Sequence, residues 1–216
     1  MFRFPILRSW PILRDYIREF LEESDSANEQ SFAQFCDKIR KFQIDGDREE
    51  MTQFQLIIKS ISDHHHRDIN FIPKIQKILQ QYQEQIKQTL SNDEIFHLFE
   101  NNKLIVHFLL KNNIINISES ICNYIVNIIE PNGNRYCHFF YPELEQFKGE
   151  EEMKSIKEEL LKQNPTAFNG FESKRQEGQN DSYICSLIRN DSVEEFIAYI
   201  NRQNISVSNY IKFCLL

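Results

Sequence analysis

Apolar residues recur along most of the chain at the three- and four-residue spacing of an amphipathic helix. Pro11 and Pro73 lie near the starts of two of these stripes, where a proline suits the first helical turn. Each stripe predicts one helix. The four clearest stripes contain Ile12, Leu13, Tyr16, Ile17, Phe20 and Leu21; Phe32, Phe35, Cys36, Ile39 and Phe42; Met51, Phe54, Ile57, Ile58 and Ile61; and Ile75, Ile78, Leu79, Tyr82 and Ile86.

Three pairs of polar residues have the spacing of a capping box, which marks the start of a helix. They are Ser31 with Gln34, Ser91 with Glu94 and Ser192 with Glu195. The segment from Glu150 begins with three glutamates, which the helix dipole favours in a first turn. Further helices are predicted at about residues 94–100, 103–111, 118–129, 150–162, 182–189 and 193–202.

The pattern changes after Glu130. Residues 131–134 read Pro-Asn-Gly-Asn, which is a strong turn signal, and the aromatic run from Tyr136 to Tyr141 stops at Pro142. Residues 164–181 are polar, contain a proline and two glycines, and have the composition of a linker. The predicted domains are a helical array over 1–130, an irregular aromatic segment with a charged helix and linker over 131–181, and a repeat-like segment over 182–216.

One stretch of the chain echoes another. Residues 95–117 and 184–207 each read as a short helix, a polar Asn-Asn or Asn-Asp turn, a second helix and a short β-prone tail. Stacked helix pairs of this kind build solenoid proteins, although two unrelated helical hairpins would give the same pattern. The predicted fold is therefore all-α, an array of antiparallel helical hairpins that ends in an ankyrin-like helix pair.

Composition and charge narrow the class of protein. The chain has 216 residues, of which 41% are hydrophobic, and a net charge of −7, so a basic surface for nucleic acid or anionic membrane is not expected. The longest apolar run is too short to cross a membrane, and Arg3 and Arg8 interrupt the apolar N-terminus, so no signal peptide is predicted. Five scattered cysteines without a Cys-x-x-Cys pair favour a reducing, cytoplasmic location: Cys36, Cys122, Cys137, Cys185 and Cys214.

The later helix pair resembles the ankyrin consensus, although it lacks the Thr-Pro-Leu-His opening. The residues that carry the likeness are Cys185, Leu187, Ile188, Asn190, Asp191, Val193, Phe196, Ile197 and Ile200.

A wider resemblance is to the N-terminal region of trichomonad ankyrin-repeat proteins that contain an ankyrin-like domain of unknown function. It is carried by residues 61–67, 71–79, 92–96, 141–144 and 178–193. The resemblance implies ankyrin-type stacking and protein binding, and it implies no catalytic residues. Members of that family continue into many further repeats, so a chain that stops at Leu216 is expected to be a truncated copy or a fragment. We then expect self-association through the open C-terminal face, unless residues 205–216 fold back over it.

Three histidine or cysteine clusters invite a chemical interpretation. His64, His65 and His66 are consecutive and therefore point about 100° apart on a helix, which favours a helix-end cluster over a metal site. Cys137 and His138 are adjacent and lack an identifiable third group, so a thiol nucleophile is not predicted. His107 lies within an apolar stripe and is expected to be partly buried. The aromatic residues Tyr136, Phe139, Phe140 and Tyr141 are either core or an exposed recognition patch, and core is favoured.

No catalytic, cofactor-binding or metal-binding residue is predicted. The predicted function is a non-enzymatic protein–protein interaction module, with another protein as its partner and neither nucleic acid nor membrane. The alternative is an inert structural cap for a downstream repeat array, and an enzyme ranks third.

Overall fold

In a computed structural model of the chain, the described residues are 10–23, 29–40, 42, 48–64, 70–128, 136–163, 168–176, 187 and 192–203. Every regular element among them is a helix, which confirms the all-α prediction. The helices are α1 (Trp10–Glu22), α2 (Glu29–Arg40), α3 (Arg48–His64), α4 (Phe71–Gln81), α5 (Gln83–Thr89), α6 (Asn92–Phe99), α7 (Lys103–Lys111), α8 (Glu119–Asn127), α9 (Tyr136–Phe139), α10 (Tyr141–Lys148), α11 (Glu150–Gln163), α12 (Phe171–Gln176) and α13 (Val193–Gln203). The chain divides into two compact units, Met1–Asn116 and Ile117–Leu216, whereas the sequence placed boundaries after residues 130 and 181.

In the first unit, helices α1 to α7 bury the apolar stripes that the sequence predicts. Helix α1 packs against α2, α3 and α4, while α3 also packs against α4, α5 and α6. Helix α7 packs against α4 and α6. Ile12 is an exception, since it is 51% exposed. The fully buried side chains include Leu13, Ile17, Ile39, Met51, Phe54, Ile58, Ile75, Ile78, Phe96 and Phe99.

Long basic side chains tie distant parts of the first unit together. The Lys74 ammonium donates a 2.8 Å hydrogen bond to the Glu23 carbonyl, just after the end of α1, where carbonyls lack helical partners. Arg48 at the start of α3 donates a 2.9 Å hydrogen bond to the Thr89 carbonyl and forms an ion pair with Glu94. These contacts join residues far apart in sequence, and periodicity does not predict them.

Of the predicted capping boxes, the one at Ser91 forms and the one at Ser31 does not, while the box of Ser192 with Glu195 stays a prediction. The Ser91 side chain accepts a hydrogen bond from the Glu94 backbone N–H, and the Glu94 carboxylate accepts one from the Ser91 N–H. The box of Ser31 with Gln34 is wrong, because α2 begins two residues before Ser31. Ser31 therefore lies inside the helix, and its hydroxyl donates to the Glu23 carboxylate at 2.8 Å.

The fourth stripe forms two helices instead of one. Helices α4 and α5 meet at Tyr82, whose φ of −104° and ψ of 13° leave the helical range. The Tyr82 ring packs edge-on against Phe54, with 5.0 Å between the ring centroids. The Tyr82 N–H still donates to the Ile78 carbonyl at 3.2 Å, and the Tyr82 carbonyl accepts from the Ile86 N–H at 2.9 Å, so helical hydrogen bonds continue on both sides of the interruption.

A helix-ending motif closes α7, and the β-prone tail predicted at residues 115–117 forms no strand. Asn113 has a φ of 52°, a left-handed conformation that asparagine tolerates better than most residues. The Asn113 N–H donates to the Leu110 carbonyl at 3.0 Å, and the Ile114 N–H donates to the Leu109 carbonyl at 2.8 Å. This pair of bonds is the Schellman motif, and it turns Ile114 and Ile115 back into the core.

In the second unit, the aromatic segment is helical, so its prediction as irregular is wrong. Tyr136 to Phe139 form α9, which packs against α8 and α10, and α10 packs against α11. Pro142 lies in the first turn of α10, and the chain continues as a helix beyond it. Proline suits that position because its φ is already helical and its missing N–H has no helical acceptor there. The predicted linker contains the six-residue helix α12.

The repeat-like segment at the C-terminus is described only in part. Helix α13 confirms the helix predicted at 193–202. Leu187 is buried, and its carbonyl accepts a 2.9 Å hydrogen bond from the Ser192 N–H. The remainder of the predicted helix at 182–189 and the tail at 204–216 lie outside the described residues, as do the β-prone tail at 205–207 and the open face that was expected there.

Candidate interaction surfaces

The histidines and cysteines singled out from the sequence occupy separate places. His64 is the last residue of α3, while His65 and His66 lie outside the described residues. His107 is half-buried, as predicted. Within the described ranges, no group of three or more histidine, cysteine, aspartate or glutamate side chains is arranged to hold a metal ion.

The cysteine side chains on described helices are buried. Cys36, Cys122 and Cys137 are 6%, 0% and 0% exposed. Burial raises the pKa of the Cys36 and Cys122 thiols above the ordinary value. Since the thiolate is the reactive form of cysteine, a raised pKa makes both thiols poor nucleophiles at neutral pH.

A polar cleft of about 380 Å³ lies in the first unit, where α5, α6 and the end of α7 meet. The N-terminus of α6 at its edge is already capped by Ser91 and by the Glu94 carboxylate. The hydrogen bonds from Ser91 lower the pKa of Glu94, so this carboxylate stays charged at neutral pH. An anionic ligand would meet that negative charge. The cleft is lined by Lys87, Leu90, Ser91, Asn92, Ile95, Asn113, Ile114 and Asn116.

In the second unit, the aromatic residues at 136–141 belong mainly to the core, as the sequence favoured. Tyr136, Phe140 and Tyr141 are 4%, 0% and 4% exposed, and Phe139 is half-buried. The Tyr141 hydroxyl donates a 2.9 Å hydrogen bond to the Glu145 carboxylate. Burial and this hydrogen bond raise the pKa of Tyr141 to about 12.

A cluster of rings and cations joins residues 168–176 to this aromatic core. The Phe168 ring lies 5.3 Å from the His138 ring and 5.1 Å from the Tyr141 ring, measured between centroids. The Phe171 ring lies 5.2 Å from the same His138 ring. His138 therefore packs among aromatic rings. The Lys157 ammonium lies 5.9 Å from the centroid of the Phe168 ring, within the range of a cation–π contact.

Arg175 is the most deeply buried charged residue of this cluster, at 3% exposure. Its guanidinium forms an ion pair with Glu143 of α10 and lies 5.3 Å from the centroid of the Phe139 ring. It also lies 5.8 Å from the Phe171 ring and 3.8 Å from the Glu172 carboxylate. Arg175, Phe168 and Phe171 were not predicted as site residues, because their segment has the composition of a linker. Their spacing of three and then four residues was the available signal.

Helix α13 exposes apolar side chains that the sequence placed on its packed stripe. Ile200 is buried at 5% exposure and Phe196 is half-buried, so these two mark the packed side. Val193 and Ile197, four residues apart on one side of the helix, are 56% and 52% exposed. Elsewhere in the second unit, Phe147 is 43% exposed.

Comparison with known proteins finds no family model, no curated protein and no solved structure that matches this chain. None of the described helices combines the length and the apolar character needed to cross a membrane.

Proposed function

We propose that the chain is a non-enzymatic protein-binding module and that the exposed side of α13 is its docking surface. The observation that carries the proposal is the pair Val193 and Ile197, each more than half exposed and spaced to lie side by side on one helix. An amphipathic helix that offers apolar anchors at this spacing is a recurring way for a protein to bind a groove on its partner.

The packing of the first unit supports a helical-repeat architecture for this module. Helix α1 packs against α2, α3 against α4 and α5, and α6 against α7, which gives three candidate hairpins. Their first helices also contact in order, α1 with α3 and α3 with α6, as stacked repeats would. We infer the ankyrin-like relationship from this packing together with the sequence resemblance, and the cytoplasmic location from the five scattered cysteines without a Cys-x-x-Cys pair.

The alternative function, an inert cap for a repeat array, uses the same surface differently. Val193 and Ile197 would then be covered by a neighbouring helical repeat and not by a separate protein. The two functions differ in what binds α13, so one experiment on this helix separates them.

The test places a carboxylate on the docking surface. Ile197→Asp should lower capture of a specific partner from cell extract by about tenfold or more, since a buried unpaired charge costs several kcal/mol. The matched control is Ala198→Asp, which adds the same charge to an exposed position about 100° around α13. Equal capture by both variants would contradict the proposal. If the unaltered chain captures no protein, the cap is favoured.

A further inference from the structure

Residues 168–176 are held to the second unit by three anchoring side chains. Phe168 contacts rings of α9 and α10, Phe171 contacts α9, and Arg175 reaches both helices. Between the anchors the segment is exposed, at Asn169, Gly170, Glu172 and Ser173. The segment therefore makes its attachment through a few large side chains that enter the unit from one side.

The side chains that receive these anchors come from three helices, and together we name them the receiving surface. They are His138 and Phe139 of α9, Tyr141 and Glu143 of α10, and Lys157 of α11. The rings of His138 and Tyr141 contact the two phenylalanine rings in edge-on and tilted geometries, with 5.1–5.3 Å between ring centroids. The Glu143 carboxylate accepts the guanidinium, so the surface has an aromatic end and an anionic end.

The segment has the form of a short recognition motif. A helix of six residues is too short to be stable in water by itself, so α12 depends on its docked side chains. Anchors at i, i+3 and i+7 are the spacing by which helical peptides fill grooves. Aromatic residues and arginine are also the types that dominate binding energy at protein interfaces.

We propose that the receiving surface is a peptide-binding groove that the chain's own segment fills in cis. Its partner in trans is a segment of the same chemistry, with two aromatic residues three positions apart and an arginine four positions later. The arginine belongs to this motif because the Arg175 guanidinium forms an ion pair with Glu143 and lies 5.3 Å from the centroid of the Phe139 ring. This groove is distinct from the α13 surface, and neither proposal depends on the other.

Competition between the two segments sets the expected affinities. A tethered segment acts at an effective concentration in the millimolar range, so it excludes a free peptide of equal intrinsic affinity. The peptide should therefore bind the unaltered chain at least about tenfold more weakly than a chain whose own anchors have been removed.

The experiment measures fluorescence anisotropy of a labelled peptide with the sequence of residues 166–178. It is titrated with the full chain and with the full chain carrying Phe168→Ala, Phe171→Ala and Arg175→Ala together. A peptide with Arg175→Ala is the matched control. A reversed charge pair is also tested, with Glu143→Arg in the anchor-free chain and Arg175→Glu in the peptide. It shows whether the charge at position 175 of the peptide pairs with the charge at position 143 of the chain. Circular dichroism verifies that each chain keeps its helical content.

Saturable binding to the anchor-free chain, weak binding to the unaltered chain and loss with the Arg175→Ala peptide are the expected results. The reversed charge pair should restore binding that either reversal alone abolishes. A helical anchor-free chain that does not bind the peptide overturns the proposal. If the anchor-free chain loses its helical content, the single variant Arg175→Ala replaces it in the titration. Loss of helical content in that variant also overturns the proposal, since the segment is then integral core.

Discussion

The two units of this protein are stabilised by different kinds of contact. In the first unit, the aliphatic and aromatic stripes of α1 to α7 supply most of the buried side chains, and the basic residues Lys74 and Arg48 tie its edges. In the second unit, rings and charges share the interior, with Arg175 at 3% exposure against Glu143. The stability that apolar burial contributes is a sum over many similar contacts. The contribution of a buried ion pair instead depends on each charge keeping its partner.

This difference changes how each unit responds to substitution. A stripe tolerates a conservative change at most positions, because neighbouring side chains can partly refill the space. Removing one member of a buried ion pair leaves the other charge desolvated and costs about 3–5 kcal/mol. The docking of residues 168–176 onto the second unit should therefore depend on few positions, whereas both units should lose similar stability when one fully buried ring is removed.

The largest expected effect compares the two cores directly. Phe96→Ala in the first unit and Phe140→Ala in the second each remove a side chain with 0% exposure. Each should lower the free energy of unfolding by about 3–5 kcal/mol, measured by urea denaturation. Phe147→Ala in α10 is the control, since Phe147 is 43% exposed and should cost much less. A Phe140→Ala effect as small as that of the control would show that the second unit lacks a packed core.

An intermediate effect is expected at a polar residue inside the first unit. Gln55 on α3 is fully buried, and neither its amide oxygen nor its amide nitrogen has a hydrogen-bond partner among the described residues. A buried unsatisfied polar group costs about 1–3 kcal/mol, so Gln55→Leu should raise the free energy of unfolding by about that amount.

The matched control for this prediction is on the same helix. Gln53→Leu changes an exposed position of α3 and should stay within about 0.5 kcal/mol. Thermal melts of both variants provide the measurement. A lower stability for Gln55→Leu would contradict the prediction and would indicate that an ordered water satisfies the amide.

The sequence predicted the first unit better than the second for the same physical reason. Burial of stripes at helical spacing depends on local order in the chain, so the stripes of α1 and α3 were assigned to helices and the bounds of α7 were predicted correctly. The contacts of Arg175 with Glu143 and Phe139 join residues more than thirty positions apart, so the local spacing of Phe168, Phe171 and Arg175 does not identify these partners. A polar segment with glycines therefore resembled a linker although it contains α12.

The interaction surfaces show where periodicity stops being informative. Val193, Ile197 and Ile200 all fit the apolar stripe of α13, yet only Ile200 is buried. Periodicity predicts the apolar character of a position, whereas its burial depends on what packs against it. The sequence thus predicted which side chains of α13 are apolar and could not predict which of them remain exposed.

A smaller effect separates two serines that the sequence treated alike. Ser91→Ala removes a helix cap and should lower the free energy of unfolding by about 1 kcal/mol. Ser31→Ala changes a residue inside α2 whose hydroxyl meets only the exposed Glu23 carboxylate among the contacts described, so it should stay within about 0.5 kcal/mol. Urea denaturation measures the free energy of unfolding of both variants. If it fell equally in the two, the predicted capping box at Ser31 would be supported after all.

The smallest expected effect is the pH dependence of that same cap. Hydrogen bonds from Ser91 hold the pKa of Glu94 below its ordinary value, with Arg48 adding to the shift. A carboxyl with a lowered folded pKa contributes stability that is complete above its ordinary pKa and is lost as pH falls through the folded value. Stability should therefore fall less steeply with acidification in Glu94→Gln than in the unaltered chain, in the window below the ordinary glutamate pKa. Glu84→Gln, at an exposed position of α5, is the control and should leave the slope unchanged. Parallel pH profiles for all three chains would show that the cap does not depend on the charge of Glu94.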